Sequence, residues 1–188
     1  WRQTGLGHDA GPVPQRPQER QAWMRFKSQT LTRFTLDLRQ AVQAIRGPQV
    51  KTARNLFALP ILEPQSEAWF AQNLDDFLAA YDWTVPMAMP LMESVPIDAS
   101  QAWLTRLVQA VARHPGALKK TIFELQARDW NRRQQNAIPD QQLADWMRLL
   151  RLNGVKNYGY YPDDFINNQP DISRIRPQFS SWWYPDHD

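Results

Sequence analysis

No cysteine occurs among the 188 residues, which excludes disulfides, thiolate metal ligands and a cysteine nucleophile while leaving the compartment open. Histidine is nearly as scarce. His8, His114 and His187 fall in an irregular segment, a helix-ending turn and the C-terminal tail, a spacing that makes no metal site. The seven glycines form neither a phosphate-cradling loop nor a Gly-x-Ser-x-Gly elbow, so nucleotide binding and serine-hydrolase chemistry have no support. No apolar run approaches the roughly 18 to 20 residues that span a bilayer. Neither sign of charge dominates: 22 basic and 19 acidic residues are mixed along the chain, and no Lys/Arg cluster interleaves with aromatics as a nucleic-acid groove requires. The first residue, Trp1, follows no initiator Met or signal-peptide n-region, and the chain reads as a piece of a longer protein.

The abundant feature is aromatic: nine Trp, eight Phe and five Tyr within a hydrophobic fraction of 43%, enough for one globular domain. Trp and Tyr offer flat apolar area with a polar handle, the combination that stacks on sugar rings.

Residues 1–18 carry Gly5, Gly7, Gly11, Pro12, Pro14 and Pro17 with few apolar anchors, an irregular lead-in. From Glu19 to Arg46 the residues Trp23, Phe26, Thr30, Leu31, Phe34, Leu38, Val42 and Ile45 recur at three- and four-residue steps, predicting a helix with that face buried and Gly47-Pro48 as its stop. Strands are predicted over Val50–Phe57, Trp83–Met89, Lys120–Gln126 and Val155–Tyr161. Between them lie a helix capped by Ser66 with Phe70, Leu74, Phe77, Leu78 and Tyr81 inward, one opened by Ser100, and one after Pro139. The strand starts lie about 35 residues apart, the length of one strand-loop-helix-loop unit in a barrel or doubly wound sheet. The expected class is therefore α/β, a (β/α) TIM-barrel-like domain represented by four strand units over residues 19–188.

In such a barrel the loops after the strands form the working face, so polar residues at strand C-terminal ends carry functional weight. The strand starts hold Lys51, Lys119, Lys120 and Lys156; the ends hold Arg54, Asn55, Met87, Met89, Glu124, Gln126, Asp129, Trp130, Tyr158, Tyr160, Tyr161, Asp163 and Asp164. Glu124 reads equally as a partner of Arg54 or as a sugar-binding or acid/base group. Glycosidic cleavage takes two carboxylates, and Glu124, Asp163 and Asp164 are the strand-end acids present. Asp163 and Asp164 also fit turn and cap chemistry. Trp69, one residue off the Phe70 stripe, and Trp130, directly past a strand, are candidate sugar platforms, whereas Trp83, Trp103 and Trp146 fit the core. Tyr158, Tyr160 and Tyr161 alternate, so they cannot all face one side.

Three segments, KTARNLFALPILEPQSEAWFAQNLDDFLAAYDWTVPMAMPLME, FELQARDW and LNGVKNYGYYPDDF, followed by a terminal WWYPDHD, make the chain from about Trp23 onward resemble the C-terminal domain of the PgaB-type poly-β-1,6-N-acetyl-D-glucosamine N-deacetylases. The resemblance implies the last four strand units of an eight-unit barrel, in a periplasmic, outer-membrane-associated protein of biofilm polysaccharide export. It places a divalent metal only in a separate deacetylase domain that this chain does not contain, so no cofactor is expected here. The family's His-Asp-Asp-Ala segment, where its main catalytic acids are expected, belongs to earlier strands; His8-Asp9-Ala10 follows Gly5-Leu6-Gly7 and is not its equivalent. By position, Arg54, Asn55, Trp69, Glu124, Gln126, Trp130, Tyr158, Tyr160, Asp163 and Asp164 are the candidate substrate-binding set, with Glu124 the one catalytic candidate. The carboxylates would attract the ammonium of deacetylated glucosamine, with cation–π help from the aromatics. Implied partners are the partly deacetylated polymer, the deacetylase domain, the first half of the barrel and an outer-membrane export porin. Two readings stay open: a glycoside hydrolase completed by the other half-barrel, this piece alone being inactive, or a non-catalytic module that holds the polymer.

Overall fold

The computed structural model describes residues 16–131 and 136–179. The lead-in up to residue 15, with His8, and the terminal WWYPDHD, with His187, lie outside the described residues. A long helix α1 (Pro17–Arg46) starts with proline in its first turn and ends at Gly47, whose φ of 94° turns the chain out while its N–H bonds the Gln43 carbonyl at 2.8 Å. Four strands follow, β1 (Ala53–Phe57), β2 (Trp83–Ala88), β3 (Phe123–Gln126) and β4 (Tyr158–Tyr161). They pair in sequence order and all in parallel, as strand-helix-strand units demand. Three strands begin about three residues later than the sequence predicts, the polar starts Lys51, Lys120 and Lys156 lying before the continuous ladder.

The connections are more broken than the periodicity predicts. Directly after β1 comes the short helix α2 (Ala58–Leu62), and the single helix expected from Ser66 is two, α3 (Glu67–Phe70) and α4 (Leu74–Ala80). Ala71, at φ 51°, ends α3 in a left-handed turn, and Asn73 caps α4 by accepting from the Asp76 N–H at 3.0 Å. Ser66 makes no cap. Likewise α5 (Ile97–Ala112) starts before Ser100, whose hydroxyl instead donates to the Ile97 carbonyl and accepts from the Trp146 indole N–H at 2.8 Å, tying α5 to α6 (Asp140–Leu152) inside the core. Phe77, Leu104, Leu107, Val111, Leu143, Trp146, Met147 and Leu150 pack there against Leu56, Ala88, Phe123 and Leu125 of the sheet. A last helix, α7 (Ile172–Ile175), adds Ile175 to this core.

Asp82 fixes the lower end of the sheet. Its carboxylate accepts from the Thr52 backbone N–H at 2.9 Å, the Thr52 hydroxyl at 3.0 Å and Lys51 at 3.1 Å, which hold its pKa down at about 2. β1 and β2 thus start in register.

The face of α1 is the clearest departure from expectation. The residues it buries are Ser28 and Thr32, while Phe26, Phe34 and Leu38 are 58%, 58% and 52% exposed and Ile45 is 83% exposed. Contact with α3 and α4 is made through its polar side: Thr35 bonds the Tyr81 hydroxyl, and Arg39 donates to the Ala80 carbonyl at 3.1 Å. Small polar side chains let the helix lie close to its neighbours, and the apolar stripe is left facing outward. Among the described residues no helix is long and apolar enough to cross a membrane.

An outward apolar stripe beside the edge of β1, which has no further strand partner among the described residues, is an association surface. The isolated chain should therefore self-associate at micromolar concentration in sedimentation velocity; a monomer that unfolds in one cooperative transition would contradict this.

Candidate functional site

Parallel register determines which strand residues can meet. Asn55 lies opposite Val85, Phe57 opposite Met87, Met87 opposite Glu124, Glu124 opposite Gly159 and Gln126 opposite Tyr161. Registered residues project to the same side, so these share the face free of helices, and Arg54, Leu56, Phe123, Leu125, Tyr158 and Tyr160 share the other. At the C-terminal end of the helix-free face a cavity of about 280 Å³ is lined by Asn55, Met87, Met89, Met92, Glu124, Trp130 and Tyr161.

Glu124 is the one carboxylate of this lining among the described residues. Asn55 reaches across from β1 and donates its amide N–H to Glu124 Oε2 at 2.9 Å. Burial among apolar neighbours raises the Glu124 pKa, the Asn55 bond lowers it, and burial prevails. A carboxyl so placed holds its proton to a higher pH than a free glutamate, as a general acid must. Its ionised form is the penalised one. The folded state therefore loses stability as pH rises from the ordinary carboxylate range through the elevated value.

Two aromatic rings form one wall. Tyr161 lies over Trp130 with centroids 6.1 Å apart and planes at 25°. The turn carrying Trp130 is braced by Asp129, which accepts from the Asn131 N–H at 3.0 Å. Gln126 is fully buried: its carbonyl oxygen accepts from the Leu91 and Met92 N–H groups at 2.8 and 3.3 Å, and its amide donates to the Arg128 carbonyl at 2.8 Å. Bonded at both its oxygen and its nitrogen, Gln126 holds the turn that delivers Met92 to the cavity.

The structure separates the remaining sequence candidates from this cavity. Arg54 projects into the helix layer, stacking 4.4 Å from the Phe77 ring centroid and donating to the Tyr81 hydroxyl at 2.6 Å and the Thr35 hydroxyl at 3.0 Å; it neither pairs with Glu124 nor faces the groove. Tyr158 and Tyr160 are on that side too, against Phe179, with the Tyr158 hydroxyl donating to the Gln178 carbonyl. The Tyr160 hydroxyl donates to Asp163 at 3.1 Å. Asp164 accepts from the Asn167 N–H at 3.1 Å and its side-chain amide at 2.9 Å, with Arg128 at 3.8 Å, and these contacts lower its pKa: it is a turn cap. Trp69 is 78% exposed and lines a different cavity, beside Trp23 and Lys27 of α1. Met87, Met89 and Tyr161 stood among the strand-end residues but outside the expected substrate-binding set, and Met92 was in neither. Pairing β2 with β3 would have found Met87, and pairing β3 with β4 would have found Tyr161.

The described residues hold no group of three or more His, Asp or Glu able to bind a metal ion.

A parallel α/β sheet with helices packed against one face, whose strand ends carry a desolvated carboxyl beside stacked aromatic rings, is of the TIM-barrel-like class, in which the strand C-terminal ends form the working face. The chain belongs to hypothetical glycosyl hydrolase family 13, whose model matches residues 1–161. It is 53% identical over 189 residues to the poly-beta-1,6-N-acetyl-D-glucosamine N-deacetylases of Escherichia coli strains K12 and O157:H7, covering 100% of this chain and 28% of each relative. Among solved structures it is similar to the PgaB (BpsB) glycoside hydrolase domain from Bordetella bronchiseptica, with a TM-score of 0.84 and 43% identity over 95% of this chain and 50% of that one.

Replacing Asn55 by Ala removes the bond that holds Glu124 down. The Glu124 carboxyl midpoint, followed by ¹³C NMR titration, should move further up; a downward or absent shift would contradict the assigned contact.

Proposed function

We propose that this chain is the second half of a (β/α) barrel and forms one wall of a cleft that binds partly deacetylated poly-β-1,6-N-acetyl-D-glucosamine. Together with groups from earlier strands, it cleaves the polymer's glycosidic bonds. The observation that supports this most is the cavity at the strand ends, with Glu124 held by Asn55 beside the Trp130–Tyr161 pair. The similarity to a glycoside hydrolase domain of twice this length agrees with a half-barrel reading, and the preceding strand units would cover the apolar stripe of α1.

In this reading Trp130 and Tyr161 seat the flat face of a sugar ring, and Glu124 points its carboxyl at the bond-side oxygen. Its elevated pKa suits proton donation to the leaving group. Retaining and inverting cleavage both need a second carboxylate, and it would come from the other half of the barrel. The isolated chain is then inactive. The whole protein would combine this cleft with a metal-dependent deacetylase domain, act in the periplasm at the outer membrane, and hand its product to an export porin.

That Glu124 alone among the described acids lines the cavity favours, as a second reading, a module that only holds the polymer. Incubating the full-length protein with partly deacetylated polymer and sizing the products by mass spectrometry separates the two. Shortened oligosaccharides are expected, reduced by about a hundredfold or more in rate with Glu124→Gln, and Trp130→Ala should weaken binding about tenfold. Unchanged polymer length with binding retained would leave only the holding role.

A further inference from the structure

Resting on the reading of this chain as half of a barrel, we propose that Gln72 is a positioning residue. Its side-chain amide takes the place of a strand residue at the upper end of the outer edge of β1, where it ends the ladder for the preceding strand and holds Asn55 against Glu124. Gln72 itself lies in no strand and lines no part of the Glu124 cavity.

In a parallel ladder the N–H and C=O of one residue point to one edge and those of the next residue to the other. The Trp83 N–H bonds the Thr52 carbonyl at 2.9 Å, so Thr52, Arg54 and Leu56 face β2, whereas Ala53, Asn55 and Phe57 face outward. On that outward edge Gln72 Oε1 accepts from the Phe57 N–H at 2.9 Å, and Gln72 Nε2 donates to the Asn55 carbonyl at 3.5 Å. One residue of a neighbouring parallel strand would bond the same two groups, the carbonyl before Leu56 and the N–H after it. Gln72 therefore fills the last rung by itself. Among the described residues, Ala53 and the Asn55 N–H are what β1 leaves open to a preceding strand. That strand must leave the sheet at the level of Asn55, the residue that bonds Glu124 at 2.9 Å, so its next residues enter the cleft and do not continue the ladder.

The break between α3 and α4 is an independent sign. Ala71 holds a φ of 51°, a left-handed conformation that is costly for a residue with a Cβ, and it does so while buried. On the other side of Gln72, Asn73 is fixed twice, accepting from the Asp76 N–H at 3.0 Å and donating to Glu67 at 2.6 Å. Phe57 adds a third tie, its ring centroid 4.7 Å from that of Phe70 at the end of α3. Regular helix geometry is given up here, and the Gln72 amide on the strand edge is what the break delivers.

The test uses the full-length protein. In Gln72→Met, which keeps the size and loses the amide, hydrogen exchange at the Phe57 N–H should speed up about tenfold or more. Gln72→Glu, which keeps the acceptor oxygen, should leave it slow. Tyr161 is the one other titratable side chain lining the cavity with Glu124. The ¹³C midpoint of Glu124 should move up in Gln72→Met, as in Asn55→Ala, and the double variant should move no further than Asn55→Ala alone. In cleavage of the polymer, kcat should fall about tenfold with KM held within about twofold. Slow exchange at Phe57 in Gln72→Met would mean that a preceding strand bonds it. A Glu124 midpoint that does not move, or that shifts additively in the double variant, would mean that Asn55 stands without Gln72. Either result overturns the inference and leaves the cleft reading intact. A wild-type protein that leaves the polymer whole would remove the cleavage reading instead, and the exchange and midpoint measurements would still decide on Gln72.

Discussion

Alternation along four parallel strands in fixed register is the constraint on which everything else in this structure depends. Asp82 sets the register at the lower end by gripping Thr52 and Lys51, and each residue above then has its side determined. One residue of slip would exchange Glu124 with Leu125 and Tyr161 with Tyr160, burying a carboxylate in the helix layer and exposing the core. The groove and the core are thus two faces of one register, and neither can be altered alone.

On the groove face the polar groups are arranged so that each supports the next. Gln126, although buried on a strand, bonds the turn after β2 through its oxygen and the Arg128 carbonyl through its nitrogen, and so fixes both Met92 and the segment leading to Trp130. Asn55 spans from β1 across β2 to Glu124 on β3. A buried amide bonded at both ends is held in place, and rigidity is what a site for an oriented ligand needs.

The architecture was legible in the sequence because strand-helix spacing is a long-range regularity that loops do not disturb: four strands and their order of appearance emerge from it. The candidate site was legible in part. Position at a strand's end marks Asn55, Glu124 and Trp130, but end position says nothing of side, and Arg54, Tyr158 and Tyr160 turn out to face the helices. Arg54 could not be foreseen there because a guanidinium is accommodated in the helix layer only through the ring of Phe77 and the hydroxyls of Thr35 and Tyr81, which come from two other elements. The stripe of α1 was misjudged for the opposite reason. Apolar periodicity predicts a buried face and cannot tell whether the covering surface lies among the residues in hand.

A crystal structure of the full-length protein with a bound partly deacetylated β-1,6-glucosamine oligosaccharide tests the central claim most directly. A sugar ring should sit on the Trp130–Tyr161 wall, in contact with Asn55 and Glu124 and without contact to Arg54, Tyr158 or Tyr160. A sugar bound through the Arg54 or Tyr160 side, with the Glu124 cavity empty, would contradict the account.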